Sequence, residues 1–175
     1  EMDGAHGLVS KSWFYEESVR VPFIVRWKGV TPAGRVDREH LVAAGIDLLP
    51  TLCDVAGIKP PAGLPGRSVA PLALGHTVTD WREEVGAEGS HGRMIRIARH
   101  KYCVYFEGAR REQLFDLERD PLETVNRAED PAARTILDDH RNRLHAWMQS
   151  IGDRPGLEIV PKPTRVSLGQ SDGGA

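Results

Sequence analysis

Phe14-Tyr15-Glu16-Glu17-Ser18-Val19-Arg20-Val21-Pro22 runs directly into Phe23-Ile24-Val25. The acidic stretch lacks glycine and proline, which suits a short helical turn around Ser12 to Glu17, and Pro22 stops it. The continuous apolar run that follows, through Trp27 and bounded by Lys28-Gly29, predicts a strand buried on both faces of an α/β sheet. Thr31-Pro32-Ala33-Gly34 is a turn. A second extended piece, His40 to Ala44, precedes a helix that Asp47 is expected to cap. Pro50 falls early enough in that helix to cost no hydrogen bond, and Gly57 ends it. The proline- and glycine-rich passage from Lys59 to Gly75 reads as a packed loop or a very short helix.

The character changes at Trp81. Glu84 to Glu88, Arg93 to Ala98, Lys101 to Phe106 and Gln113 to Leu117 are short segments separated by turn-like or charged residues. Met94, Ile95 and Ile97, then Cys103, Val104, Tyr105 and Phe106, alternate in part, as expected for antiparallel strands packed on one face. A turn centred on His100 predicts a hairpin. Asp130-Pro131 reads as the N-cap and first residue of a helix. Ile136, Leu137, His140, Leu144, Trp147, Met148 and Ile151 give that helix one apolar stripe, and Gly152 is its stop.

A chain of 175 residues, 40% hydrophobic, is long enough for one domain or two small ones. A net charge of -2 and a pI near 6.4 argue against a nucleic-acid partner, which calls for a basic footprint. No apolar run approaches the roughly 20 residues that cross a bilayer, so no membrane partner is expected. The chain begins at Glu1 without a signal-peptide pattern, and compartment is not legible. Cys53 and Cys103 lie in apolar surroundings, are too few for a disulfide framework and are not spaced for zinc. Both read as inert core thiols.

The strings Gly4-Ala5-His6-Gly7, Lys11, and Tyr15-Glu16-Glu17-Ser18-Val19-Arg20-Val21-Pro22 together resemble the sulfatase family. There, an Asp-His-Gly or Asp-Asn-Gly metal motif is followed by a Gly-x-His-Gly loop, a lysine and a Tyr-Glu-x-Ser-x-Arg-Val-Pro segment. Ile46-Asp47-Leu48-Leu49-Pro50-Thr51-Leu52, Leu64-Pro65-Gly66-Arg67-Ser68 and Gln113-Leu114-Phe115-Asp116-Leu117-Glu118-Arg119-Asp120-Pro121-Leu122-Glu123 extend the resemblance to about Asp153. The resemblance implies an α/β fold: residues 1–80 as the end of an alkaline-phosphatase-like catalytic domain. A small α+β subdomain, an antiparallel sheet with one C-terminal helix, follows over 81–153. Residues 154–175 are expected to form an extended or disordered tail. It further implies that the metal motif lies just before Glu1, and that the nucleophile lies upstream, since neither cysteine fits the Cys/Ser-x-Pro/Ala-x-Arg pattern converted to formylglycine.

On this resemblance Lys11 is the catalytic and sulfate-binding cation, because a fixed charge at the anion is the largest catalytic resource for sulfate ester hydrolysis. His6, flanked by glycines, is expected to donate to a sulfate oxygen or protonate the leaving group; ordering the loop is its alternative reading. His91, after Glu88-Gly89-Ser90, is a third substrate contact or simply a turn histidine. Glu16, Glu17 and Arg20 suit a structural ion pair, and Asp3 alone is not a calcium site. Arg93, Arg96, Arg99, Lys101, Arg110 and Arg111 could steer a sulfated substrate or merely face solvent. The implied reaction is hydrolysis of the sulfate ester of a small molecule or saccharide, with calcium or another divalent cation held by ligands outside this chain. Two alternatives stand beside it: a phosphonate or phosphodiester hydrolase of the same superfamily, and a non-catalytic module forming homo-oligomers through the tail. The chain by itself is expected to be inactive.

Overall fold

The computed structural model describes residues 2–161. Its centre is a four-stranded antiparallel meander in the order β1 (Glu84–Gly89), β2 (Gly92–Ile97), β3 (His100–Tyr105), β4 (Glu112–Asp116). The β2–β3 register sets Ile95 opposite Tyr102 and Met94 opposite Cys103. Since successive side chains point to opposite faces, these pairs define two surfaces. His100 is the first residue of β3, so the hairpin turns at Ala98-Arg99, just before the predicted centre.

One surface carries α4 (Arg134–Ile151), whose Leu137, Leu144 and Met148 pack on Ile95, Tyr102, Val104 and Leu114. Burying each such side chain contributes about 1.5–3 kcal/mol. Asp130 caps the single 3-10 turn that leads into the helix, its Oδ1 accepting from the Ala132 N–H at 2.9 Å. Gly152 leaves the helix in the left-handed region, φ 71°. Arg141 and Tyr102 both donate to Glu112, at 2.7 and 2.6 Å, tying α4 to the sheet.

The second surface is covered too, contrary to the one-sided packing that the alternation predicts. Trp13, Phe14 and Val19 pack against Met94, Cys103 and Tyr105. The cover comes from about eighty residues upstream, so β2 and β3 are buried on both sides. Within that cover, α1 spans Glu16–Val19, slightly later than the predicted turn.

α2 (Ala44–Val55) has Ala43 as its N-cap, so Asp47 is not the cap. It reaches back instead: one oxygen accepts from the Ala43 N–H at 2.8 Å and the other from the Arg67 N–H at 2.9 Å, while Arg82 donates to both. Pro50 is interior rather than early, and cannot donate to the Ile46 carbonyl. Gly66 crosses at that carbonyl, where a Cβ would lie 1.8 Å from its oxygen. The Lys59–Gly75 loop holds a single short helix, α3 (Ala70–Ala73).

Further expectations are corrected. Residues 23–27 lie outside any ladder, with Ile24 87% exposed; a strand buried on both faces needs neighbours, and the described residues supply none. The piece from His40 to Ala44 is likewise in no ladder. The expected tail starts with a helix, α5 (Arg154–Ile159), capped by Asp153 and followed by buried Val160. Residues 162–175 of that tail lie outside the described residues. Cys103 is buried but Cys53 is only half-buried.

Candidate active-site loop

The chain from Met2 to Ser12 folds back on itself. Met2 N–H donates to the Ser10 carbonyl at 3.0 Å, and Gly4 N–H to Leu8 at 2.9 Å, closing a loop around the single 3-10 turn Ala5–Gly7. Gly4 and Gly7 take φ values of 91° and 70°, and His6 itself sits at 53°. A non-glycine residue persists there only when its surroundings over-determine it.

Those surroundings are Tyr15 and Glu17. The His6 imidazole stacks on the Tyr15 ring, centroids 3.8 Å apart and 13° from parallel. Its Nε2 lies 3.8 Å from Glu17 Oε1, and the side chain is 18% exposed. Tyr15 leans on Phe115 and accepts from Gln113. Lys11 lies on the exposed part of the loop and has no hydrogen bond or ion pair with any described residue. His91, at the β1–β2 turn, stacks on Trp13 at 5.4 Å, and Trp13 meets Tyr105 at 5.1 Å. Two of the three predicted residues, His6 and His91, thus sit on aromatic platforms, and no contact joins any of the three to another.

Below the loop lies a buried ion cluster that the sequence did not reveal. Lys101 is fully buried, its Nζ 3.1 Å from Glu16 Oε1 and 2.6 Å from Glu123 Oε1. Arg96 adds a second cation to Glu16 at 3.2 Å. Glu123 Oε2 accepts from the Glu16 backbone N–H at 2.6 Å. Burial pushes the Glu123 carboxyl up, against the pull of Lys101. Burial acts the same way on Glu16, but Lys101 and Arg96 outweigh it and hold that carboxyl down.

Part of the arginine-rich passage is thus taken up by ion pairs, while Arg99, Arg110 and Arg111 remain exposed. Arg93 pairs with Asp153, Arg96 with Glu16, and Arg99 with Asp116 at 2.7 Å. Beside Arg96 and Arg99 opens a cleft of about 270 Å³ that Arg20 and Glu118 also line. Glu16 finds its partners in the sheet rather than in Arg20. Among the described residues no three His, Cys, Asp or Glu converge to hold a metal ion. No helix there is long and apolar enough to cross a membrane. The Cys103 thiol, pushed up to about 12 by burial, is no nucleophile.

Residues 4–150 match the family described as N-sulphoglucosamine sulphohydrolase, C-terminal. A Delta 4,5-hexuronate-2-O-sulfatase of Bacteroides thetaiotaomicron is 37% identical over 91% of this chain. A choline-sulfatase of Rhizobium meliloti is 37% identical over 75% of it. This chain spans 35% and 26% of those proteins' own lengths. A solved structure described as a complex with its substrate, D-glucosamine-2-N,6-O-disulfate, superposes with a TM-score of 0.73 at 25% identity, over 89% of this chain and 33% of that one. With the whole meander and nearly all of the loop and of α4 inside the matched residues, the chain belongs to the C-terminal N-sulphoglucosamine sulphohydrolase family of the sulfatases.

Proposed function

We propose that the protein of which this chain forms the C-terminal part is a sulfatase, hydrolysing the sulfate ester of a saccharide or small alcohol to the alcohol and inorganic sulfate. One observation carries the reading: a loop rigid enough to hold His6 in the left-handed region presents Lys11 to solvent without a partner among the described residues. A cation kept free of carboxylates is available to an anion. Residues 1–80 then close the larger catalytic domain, and 81–153 form the small subdomain that backs the loop.

In this reading the Lys11 ammonium holds sulfate oxygens and stabilises charge as the S–O bond breaks. His6 donates a hydrogen bond to a sulfate oxygen or gives its proton to the leaving oxygen. Its ring is kept in place by Tyr15 and its Nε2 faces Glu17. His91 borders the substrate from the β1–β2 turn. Sulfatase chemistry also calls for a nucleophile, formylglycine in the family resembled, and a divalent cation such as calcium. The described residues do not fit either group, so no step is assigned through them.

The test is turnover of 4-nitrophenyl sulfate by the whole protein. Lys11→Ala is expected to lower kcat by about a hundredfold, the scale of losing one preorganised donor, with an unchanged melting temperature, because an exposed side chain buries little. Near-wild-type turnover would return Lys11 to an ordinary surface lysine. A preference for phosphonate or phosphodiester substrates over the sulfate would replace the sulfatase reading.

A further inference from the structure

We propose that Lys101 is a positioning residue for this reaction, fixing through Glu16 and Glu123 the segment that holds His6 and carries the Lys11 loop. The proposal rests on the reading of Lys11 and His6 above and adds a residue from a strand distant from them in sequence. Lys101 is 0% exposed, and the ammonium meets two carboxylates from two different parts of the chain. Glu16 belongs to the segment leaving the loop. Glu123 belongs to the connection after β4.

Stability alone does not explain this arrangement. Two cations, Lys101 and Arg96, balance two anions, Glu16 and Glu123, yet a buried ionic cluster holds a core together no better than apolar side chains of similar volume. Apolar attachment is already present, since Phe14 and Val19 pack on the same sheet face. What ions and hydrogen bonds add is direction. Glu123 grips the Glu16 backbone N–H as well as Lys101, and adopts φ 53° to do so. A strained backbone of this kind marks a position that its contacts dictate.

Geometry links that anchor to His6. Glu16 is the residue between Tyr15 and Glu17, and these two make the His6 contacts, the ring stack at 3.8 Å and the carboxylate at 3.8 Å. A shift at Glu16 therefore moves both sides of the imidazole's seat together. Misplacing a reacting group by about 1 Å can cost on the order of a hundredfold in rate.

Three variants of the whole protein test this with 4-nitrophenyl sulfate: Lys101→Met, Lys101→Met/Glu123→Leu and Tyr15→Leu. Lys101→Met leaves Glu123 buried without its cation and is expected to melt well below wild type. The double variant removes both charges, keeps Glu16 with Arg96, and is expected to recover most of the melting temperature. Its kcat should stay at least tenfold down while KM changes less than about threefold. Tyr15→Leu, which removes the ring platform without touching a charge, should give the same kcat loss. Recovery of kcat together with melting temperature in the double variant would make Lys101 purely structural. If the double variant does not fold, Lys101→Met assayed below its melting temperature decides: a kcat at least tenfold down with KM little changed supports the proposal, and unchanged kcat overturns it. Lys11→Ala in parallel separates the two readings. Wild-type turnover there removes the site itself, whereas lost turnover there with intact turnover in the other variants removes only the role of Lys101.

Discussion

His140 is a buried imidazole whose environment sets a pH limit on the small subdomain. Its Nδ1 bonds the Ile136 carbonyl at 2.7 Å, its Nε2 has no partner among the described residues, and its ring meets His100 edge-on at 5.6 Å. Burial pulls the pKa of both histidines below the usual range, and for His100 the neighbouring His140, Arg99 and Arg127 add to this against Asp116. Unfolded, both titrate near 6.5, so below that pH the unfolded chain binds more protons and stability falls. Melting temperature is expected to drop between pH 7.5 and 5.5, and His140→Leu should reduce the drop. An equal drop in both proteins would remove His140 as the cause. The sequence placed His140 on the apolar stripe of its helix, which is legible from spacing. It could not reveal Lys101: a charged residue in an alternating strand reads as solvent-facing until Glu16, 85 residues away, is brought over it.

At the scale of elements, the four strands were legible within a residue, and α4 starts three residues after its expected first position because Pro131–Ala133 form a 3-10 turn; strand alternation and the helical stripe are local signals. Failures came where an element's surroundings lie far off in sequence. Residues 23–27 have strand composition and no ladder, and the second face of the sheet has a cover that no local pattern announces. The seam between α4 and β1 offers a sharp test of the packing. A Cβ at Gly86 would lie 2.1 Å from the Trp147 ring. Gly86→Ala should destabilise by about 1–3 kcal/mol, the usual cost of overpacking, with Trp147→Leu in the same chain restoring part of it. Thermal melts of the single and double variants check this, and an unshifted Gly86→Ala melt would refute the close seam.

For the whole molecule, apolar exposure is uneven. Val21, Ile24 and Trp27, with Leu48, Leu49, Leu52 and Ile58 around α2, are each at least 45% exposed, while both faces of the meander are covered. The chain spans only 35% of the length of the Delta 4,5-hexuronate-2-O-sulfatase that it matches. The candidate loop was legible because its residues are contiguous; its support was not, being assembled from three distant stretches. The end of the fold was also misjudged, and Asp153 shows why. Its carboxylate pairs with buried Arg93 and accepts from the Gly156 N–H at 3.1 Å, turning the chain into α5 and delivering Val160 to the core. A chain cut after Asp153 should melt at least about 5 °C below one cut after Pro161, since Val160 alone buries about 1.5–3 kcal/mol of apolar side chain. Equal melts would make α5 dispensable. With α5 holding Val160 in the core, a protease cut between 153 and 161 frees one wall of that packing, so a shortened version of this protein has to keep its residues through Pro161.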